Sequence, residues 1–316
     1  MEKKKILVIG LGPAGGILSA HLASCGHSLY GIDIWKEHVE AIRMNGLRIE
    51  HLVSLHMHFE EVVESLEDLH ETAFDYVVLA VKAPFLPEVV AEMRKLPGSF
   101  TIVIAQNGID NENYVANFFE VERILRMAVH FAGNIVSPGV IKMNFFQRPN
   151  YVGCICDDED DLAARFSQIL TRAELITEAT PNIRKFTWKK GILNAILAPV
   201  SAVLGVTMAE IMHFTETRQI VEALITESID VARAAGYDYG PQFFDECVEF
   251  LLKAGHHKPS MLIDLENGNP TEIDYINGKI VEFARLHQIP VPYNAAITGM
   301  VKAKEYYCCN NKRRGK

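Results

Sequence analysis

The sequence predicts two domains: an α/β domain over residues 1–180, built on a doubly wound, mostly parallel sheet, and an all-helical domain over residues 181–316. Three observations carry this. Short β-branched runs alternate with amphipathic segments as far as Thr180-Pro181, and a glycine-rich turn joins the first run to the first amphipathic segment. Beyond that point the alternation stops and nearly every segment has helical periodicity. The 316 residues are enough chain for two cores of this kind.

Strands are expected at Lys5–Gly10, Ser28–Asp33, Asp75–Val81, Thr101–Ala105 and Arg123–Val129, with helices at Ala14–Cys25, Lys36–Asn45, Pro84–Leu96 and Asn111–Phe119. Ala14, Leu18, Leu22 and Cys25 share one helical stripe; Pro13 suits a first helical position and Gly26 a stop. From Phe131 to Ile155 the pattern is irregular, with turns at Pro138-Gly139 and Pro149-Asn150, which predicts added antiparallel strands on the sheet edge. The acidic run Asp157–Asp161 reads as the start of a further surface helix, since carboxylates suit a helix N-terminus. Later helices are expected at Arg184–Ala198, Met208–Phe214, Ile220–Ala235, Pro241–Lys253, Glu272–His287 and Ala295–Tyr306, and Asn310–Lys316 reads as a frayed basic tail.

Hydrophobic residues at 49% and charged residues at 22% are those of an ordinary globular chain. A net charge of −9 argues against nucleic-acid or anionic-membrane partners, which need a basic face to displace counterions. Six cysteines in so long a chain do not make a disulfide scaffold, and reduced thiols in a cytoplasm fit better. Neither Cys154-x-Cys156 nor Cys308-Cys309 has a second ligand pair, so no metal is expected. Lys3-Lys4-Lys5 followed by Ile6–Leu11 imitates a signal peptide, but the glycines that come next have a better use. The stretch Gly191–Val206 is interrupted by Asn194, Pro199 and Ser201 and is too short for a bilayer, so no membrane segment is expected.

Gly10-Leu11-Gly12-Pro13-Ala14-Gly15 is a G-x-G-x-x-G, and its context makes it informative. An apolar strand precedes it, an amphipathic helix follows, and Asp33 closes the second strand 21 residues after Gly12. Gly10 permits the tight turn, Gly12 lets a pyrophosphate approach the backbone, and Gly15 lets helix and strand pack closely. This is the Rossmann dinucleotide fingerprint, with phosphate charge expected at the helix N-terminus. Asp33 accepts hydrogen bonds from ribose hydroxyls and repels a 2′-phosphate, which favours NAD(H). Lys36 and Trp35, as a phosphate cation and an adenine neighbour, leave the alternative open. Lys82 and Gln106-Asn107-Gly108 follow predicted strands at the end where ligands bind, although Asn107-Gly108 is also a plain turn signal.

In the helical half, Lys190 and Asn194 interrupt an apolar segment four residues apart, on one helix face. Such groups meet a ligand or each other, or else the lysine snorkels to water as its neighbour Lys189 does. A second polar cluster runs from Ser260 to Asp264 and from Asn267 to Gly278, with Pro270 or Thr271 expected to open a helix and Glu272 to sit in its first turn. Asp274 and Asn277 are read as capping or packing residues.

These blocks together resemble the ketopantoate reductase family, the 2-dehydropantoate 2-reductases. The resemblance runs from the Gly10–Gly15 fingerprint through Gln106-Asn107-Gly108 and Trp188-x-Lys190-x3-Asn194 to Ser260-Met261-Leu262-x-Asp264 and Thr271-Glu272-Ile273-Asp274-Tyr275-Ile276-Asn277-Gly278. It implies a Rossmann domain, a helical domain and a 2-oxo acid substrate held in the cleft of the two. It implies that Lys190 is the proton donor, Asn194 a substrate ligand, Ser260 the ligand of the substrate carboxylate, and Glu272 a catalytic residue lining the nicotinamide end. Lys82, Asn107 and Ala132 match dinucleotide positions, with Asn107 also facing substrate. The usual family cofactor is NADPH, so Asp33 departs from it.

Ala198, Met208 and His257 stand where the family often has asparagine. Fewer amides suit a less hydroxylated substrate, which leaves a more apolar 2-oxo acid or an opine-type imine as alternatives to ketopantoate. Reduction to the 2-hydroxy acid is the expected chemistry, with Lys190 protonating the forming alkoxide from a cleft that depresses its pKa. From another class, a non-catalytic NAD(P)-binding sensor would keep the glycines but has no reason to keep Lys190. Apolar helices in the second half leave surface for a homodimer.

Overall fold

A computed structural model describes residues 2–71, 73–156, 161–256 and 258–314; His257, most of the acidic run and the last two residues of the basic tail lie outside it. The chain divides into two units. One runs to Phe186 without Asn107–Asp110, and the other holds Asn107–Asp110 together with the residues from Thr187 onward.

The first unit contains strands β1 (Lys5–Ile9), β2 (Ser28–Ile32), β3 (Leu47–His51), β4 (Leu55–Met57), β5 (Glu61–Val63), β6 (Tyr76–Leu79), β7 (Thr101–Ile104), β8 (Ile124–Ala128), β9 (Phe131–Ser137), β10 (Val140–Phe146), β11 (Asn150–Cys154) and β12 (Thr177–Ala179). Its helices are α1 (Pro13–Ser24), α2 (Lys36–Asn45), α3 (Leu86–Met93), α4 (Asn111–Ala116) and α5 (Leu162–Arg172). The main sheet has the order β12-β11-β8-β7-β6-β1-β2-β5, parallel from β8 to β5. β1 pairs with β2 on one side and β6 on the other, so the direction of winding reverses between β1 and β6. Ligands of open α/β sheets bind at the carboxyl ends of strands beside such a reversal. Ile6, Leu7, Val8, Val77, Val78 and Leu79 are fully buried, as strands covered by helices on both faces require.

The region after Phe131 differs from expectation. β11 does join the main sheet, antiparallel to β8 with Gly153 opposite Arg126. β9 and β10 leave it and form a second sheet, β4-β3-β10-β9, with strands that sequence reading had missed. Ile49, Ile141 and Met143 are buried in this sheet, at no more than 1% exposure. The absent side chain at Gly16 of α1 makes room for it, because a Cβ there would stand 2.3 Å from Ile141 Cδ1.

The second unit is built from α6 (Ile183–Leu204, from Thr187 onward), α7 (Met208–His213), α8 (Thr215–Ala234), α9 (Phe243–Ala254), α10 (Ser260–Glu266), α11 (Asn277–Leu286) and α12 (Pro292–Arg314). Trp188, Ile192, Ala195, Ile196, Leu224, Phe243, Ile280 and Val301 share its core. Four expectations are corrected. α6 does not stop at Ala198 but passes through Pro199, because the carbonyl that proline deprives of its helical donor, Ala195 O, receives Asn277 Nδ2 at 3.0 Å. Ser260 opens a helix, α10, not anticipated. Residues 272–276 do not begin α11; Ile273–Tyr275 form a 3-10 turn, and Ile276 at φ −115°, ψ −90° breaks from helix before Asn277. The expected frayed tail continues α12 to Arg314, with no proline or glycine between Met300 and Arg314 to end it. Among the described residues, no helix is long and apolar enough to cross a membrane.

His21 in α1 is 2% exposed, with Nδ1 2.6 Å from Ala173 O and no partner for Nε2. Nδ1 therefore carries the hydrogen, and burial holds the imidazole below the usual histidine range. The unfolded chain takes up a proton here near the ordinary histidine pKa while the folded chain resists it, so this group costs stability progressively as pH falls below about 6.5. Thermal unfolding at about pH 7.5 and about pH 5.5 should show a smaller acid loss in His21→Gln than in wild type; an equal loss would clear His21 of the effect.

Candidate active site

The turn after β1 is possible only with glycine. Gly10 has φ +93°, and a Cβ on it would stand 2.7 Å from Val81 N. A Cβ on Gly15 would stand 1.9 Å from Gly10 O, so α1 sits against the turn at a distance only bare backbone allows. Gly12, the N-cap of α1, is different: a Cβ there would meet nothing within 4 Å. The open space is on the side where a dinucleotide's pyrophosphate needs close backbone approach, and the residues fit that group. Leu11 is buried and Pro13 and Ala14 are half-exposed.

Asp33 is tied to this turn. Its Oδ2 accepts from Leu11 N at 2.8 Å and its Oδ1 from Trp35 N at 2.9 Å. Each carboxylate oxygen keeps further lone-pair capacity toward a ribose. The turn is held from the other side by His38, whose Nδ1 accepts from Gly139 N at 3.0 Å and whose Nε2 donates to Leu11 O at 3.0 Å. Lys82, half-buried, lies three residues after β6 and caps the 3-10 turn Ala83–Phe85 that leads to α3. Gln106, 4% exposed, donates to Val81 O at 2.8 Å and so fastens the end of β7 beside the residue before Lys82. Ala132 is exposed in β9, opposite Phe145.

Sequence reading missed the residue that fixes these strand ends. Arg126 of β8, 1% exposed, donates through Nη1 to Ile104 O at 2.9 Å, Gln106 O at 2.8 Å and Met127 O at 3.2 Å. Its Nε lies 3.2 Å from Glu112 Oε2, and Arg184 reaches the other oxygen of Glu112 at 3.6 Å. A buried ion pair of this kind is costly to disturb, because removing one partner strands the other, at about 3–5 kcal/mol. An arginine inside a predicted strand was the available signal.

In the second unit, two predicted site residues meet: Asn107 Nδ2 donates to Glu272 Oε2 at 3.3 Å. Ile109 N bonds Tyr275 O at 2.9 Å and Asp110 lies 3.6 Å from Lys279, so the short segment is fixed along the turn that carries Glu272. Thr271, just before it, is held by Glu305 of α12, which accepts from Thr271 N at 2.9 Å and from its hydroxyl. Glu272 thus stands on a clamped turn and not in a helix.

Lys190 and Asn194 are both half-buried on α6, one turn apart, while Trp188, Ile192, Ala195 and Ile196 face the core. The neighbouring cation is accounted for otherwise. Lys189 Nζ lies 3.0 Å from Glu246 and 5.1 Å from the Phe243 ring centroid. Ser260 is exposed at the first position of α10. Ala198 and Met208 are 5% and 0% exposed in the core of this unit, which explains apolar side chains there by packing alone. Among the described residues, no group of His, Cys, Asp or Glu could hold a metal ion.

A glycine turn at the winding reversal of a parallel sheet, with an acidic residue bonded onto it and a helical unit after it, defines a dinucleotide-binding α/β protein with a helical second domain. The family models narrow this: the model described as ketopantoate reductase PanE/ApbA matches residues 6–156, and that of its C-terminal domain matches residues 182–305. The chain belongs to the ketopantoate reductase family. It is 27% identical to the 2-dehydropantoate 2-reductase of Pyrococcus abyssi over 95% of this chain and 98% of that one. The structure of 2-dehydropantoate 2-reductase from Methylococcus capsulatus is similar at TM-score 0.83 and 26% identity, covering 96% and 97% of the two chains. A complex of D-mandelate dehydrogenase with NADH is similar at TM-score 0.85 and 25% identity, covering 96% and 99%.

Since a Cβ on Gly12 has room in the protein alone, Gly12→Val should fold with a Tm near that of wild type. It should weaken dinucleotide binding by roughly tenfold or more, read by fluorescence titration, because its side chain fills the phosphate approach. Unchanged affinity would place the pyrophosphate elsewhere.

Proposed function

We propose that this chain is a nicotinamide-dependent oxidoreductase that reduces a 2-oxo acid to the 2-hydroxy acid, with 2-dehydropantoate the first candidate. The observation that carries the reading is the match of both family domains, 6–156 and 182–305, with the amine and amide of Lys190 and Asn194 sharing one half-buried face of α6. When bound, the nicotinamide supplies the hydride. The chain's own residues do the rest. Lys190 donates a proton to the substrate's carbonyl oxygen as it becomes an alkoxide, Asn194 bonds that end of the substrate, and the Ser260 hydroxyl bonds the carboxylate. Asn107 and Glu272, bonded to one another at 3.3 Å, line the nicotinamide end and keep each other oriented. Gly10, Gly12, Gly15, Lys82 and Ala132 hold the dinucleotide.

Asp33 makes NAD(H) the preferred cofactor, because a carboxylate fixed by Leu11 N and Trp35 N cannot turn away from a 2′-phosphate. The likeness to D-mandelate dehydrogenase favours a second reading in which the acid carries an apolar group. A panel of 2-oxo acids read by absorbance of the reduced cofactor separates the two.

Lys190→Ala should lower kcat by about two to four orders of magnitude with dinucleotide affinity unchanged; turnover within a few-fold of wild type would remove Lys190 from its role. Wild type should show a higher kcat/KM with NADH than with NADPH, and Asp33→Asn should narrow that ratio by roughly tenfold. An initial preference for NADPH would overturn the assignment of Asp33.

A further inference from the structure

Three fully buried or acidic groups of the second unit, which the proposed reaction does not use, are joined in one chain of hydrogen bonds. Glu227 of α8 accepts from Asn294 N at 2.8 Å and from Asn294 Nδ2 at 2.8 Å. Asn294 Oδ1 accepts from Asn277 Nδ2 at 3.0 Å, and the same nitrogen donates to Ala195 O at 3.0 Å. Asn277 and Asn294 are both 0% exposed. The direction of the chain is forced. A carboxylate only accepts, so Asn294 must turn its NH2 to Glu227 and its oxygen to Asn277, and Asn277 must then turn its NH2 toward α6.

The chain ends on a carbonyl inside α6 that has lost its helical donor. In a helix, residue 199 would donate to the carbonyl of residue 195, but Pro199 has no N–H. Ala195 is the residue after Asn194, on the turn that follows Lys190. We propose that Asn277 is a positioning residue for the reaction: its amide replaces the hydrogen bond removed by Pro199 and so fixes the turn of α6 that presents Lys190 and Asn194. The inference rests on the roles given above to those two residues. A proline alone would leave this carbonyl without a donor and the helix less restrained at this place, and the buried amide, oriented from Glu227, supplies the missing restraint.

The test is a double-mutant cycle of Pro199→Ala and Asn277→Ala in the full chain, read in both Tm and steady-state kinetics with the 2-oxo acid that wild type turns over best. Alanine at 199 restores the backbone donor to Ala195 O, so Asn277 becomes dispensable. Asn277→Ala alone should lower kcat about tenfold with the KM for the nicotinamide cofactor within about twofold, and in the Pro199→Ala background the same change should cost less than about twofold. Asn277→Asp, which keeps the shape and loses the donors, should behave like Asn277→Ala if that variant does not fold. Equal effects in both backgrounds overturn the replacement of the proline's bond. Coupling in Tm with independent effects on kcat overturns the positioning role and leaves a structural one. If wild type reduces no 2-oxo acid, the proposed function falls, and the Tm cycle still decides whether the amide substitutes for the missing N–H.

Discussion

The first unit depends on a space too small for any side chain. With the prospective Cβ of Gly15 1.9 Å from Gly10 O, α1 can begin only where it does, pointing its N-terminus past the carboxyl end of β1. Asp33 then bonds Leu11 N, His38 bonds Leu11 O, and the turn has no freedom left. The same principle recurs one residue on, where bare Gly16 lets Ile141 bring the second sheet onto α1. Gly12 alone has room beside it, and that difference among adjacent glycines separates packing from ligand approach.

The helical unit solves a different problem, which is to keep polar groups half-buried on an apolar scaffold. α6 sends Trp188, Ile192 and Ile196 into the core and leaves Lys190 and Asn194 on the side. Around it, polar side chains are used as struts. Glu305 holds Thr271, Asn107 meets Glu272, and Glu227 orients two asparagines toward a carbonyl that proline exposes. Each makes at least one hydrogen bond of 2.8–3.3 Å, which is what makes burial of such groups tolerable.

The parallel core was legible because its strands are continuous apolar runs and its first turn has a rigid glycine spacing. Leu47–His51 carries a period-two signal, with Leu47 and Ile49 buried and Arg48 and Glu50 exposed, but the Asn45-Gly46 before it also serves as the stop of α2, and five residues alone do not reveal a second sheet. Pro199 looked like a stop because its remedy, Asn277, lies 78 positions away along the chain, and no local pattern reports a long-range donor. The apolar rhythm after Glu272 predicts helix from there, but Glu305 holds Thr271 and Ile276 at φ −115°, ψ −90° breaks from helix, so α11 begins only at Asn277. Arg126 reads as one residue of a strand, and only the fold brings it under the carbonyls of Ile104 and Gln106.

The reaction proposed for this chain centres on transfer of hydride to the carbonyl carbon of a 2-oxo acid. The most direct measurement is incubation of wild-type protein with 2-dehydropantoate and a nicotinamide cofactor carrying deuterium at C4 in either stereochemical position, with mass spectrometry of the product. Stereospecific hydride transfer gives one deuterium at C2 of the 2-hydroxy acid from one of the two labelled cofactors and none from the other. Product without label from both, or label from both alike, would contradict a reduction carried out in one fixed geometry.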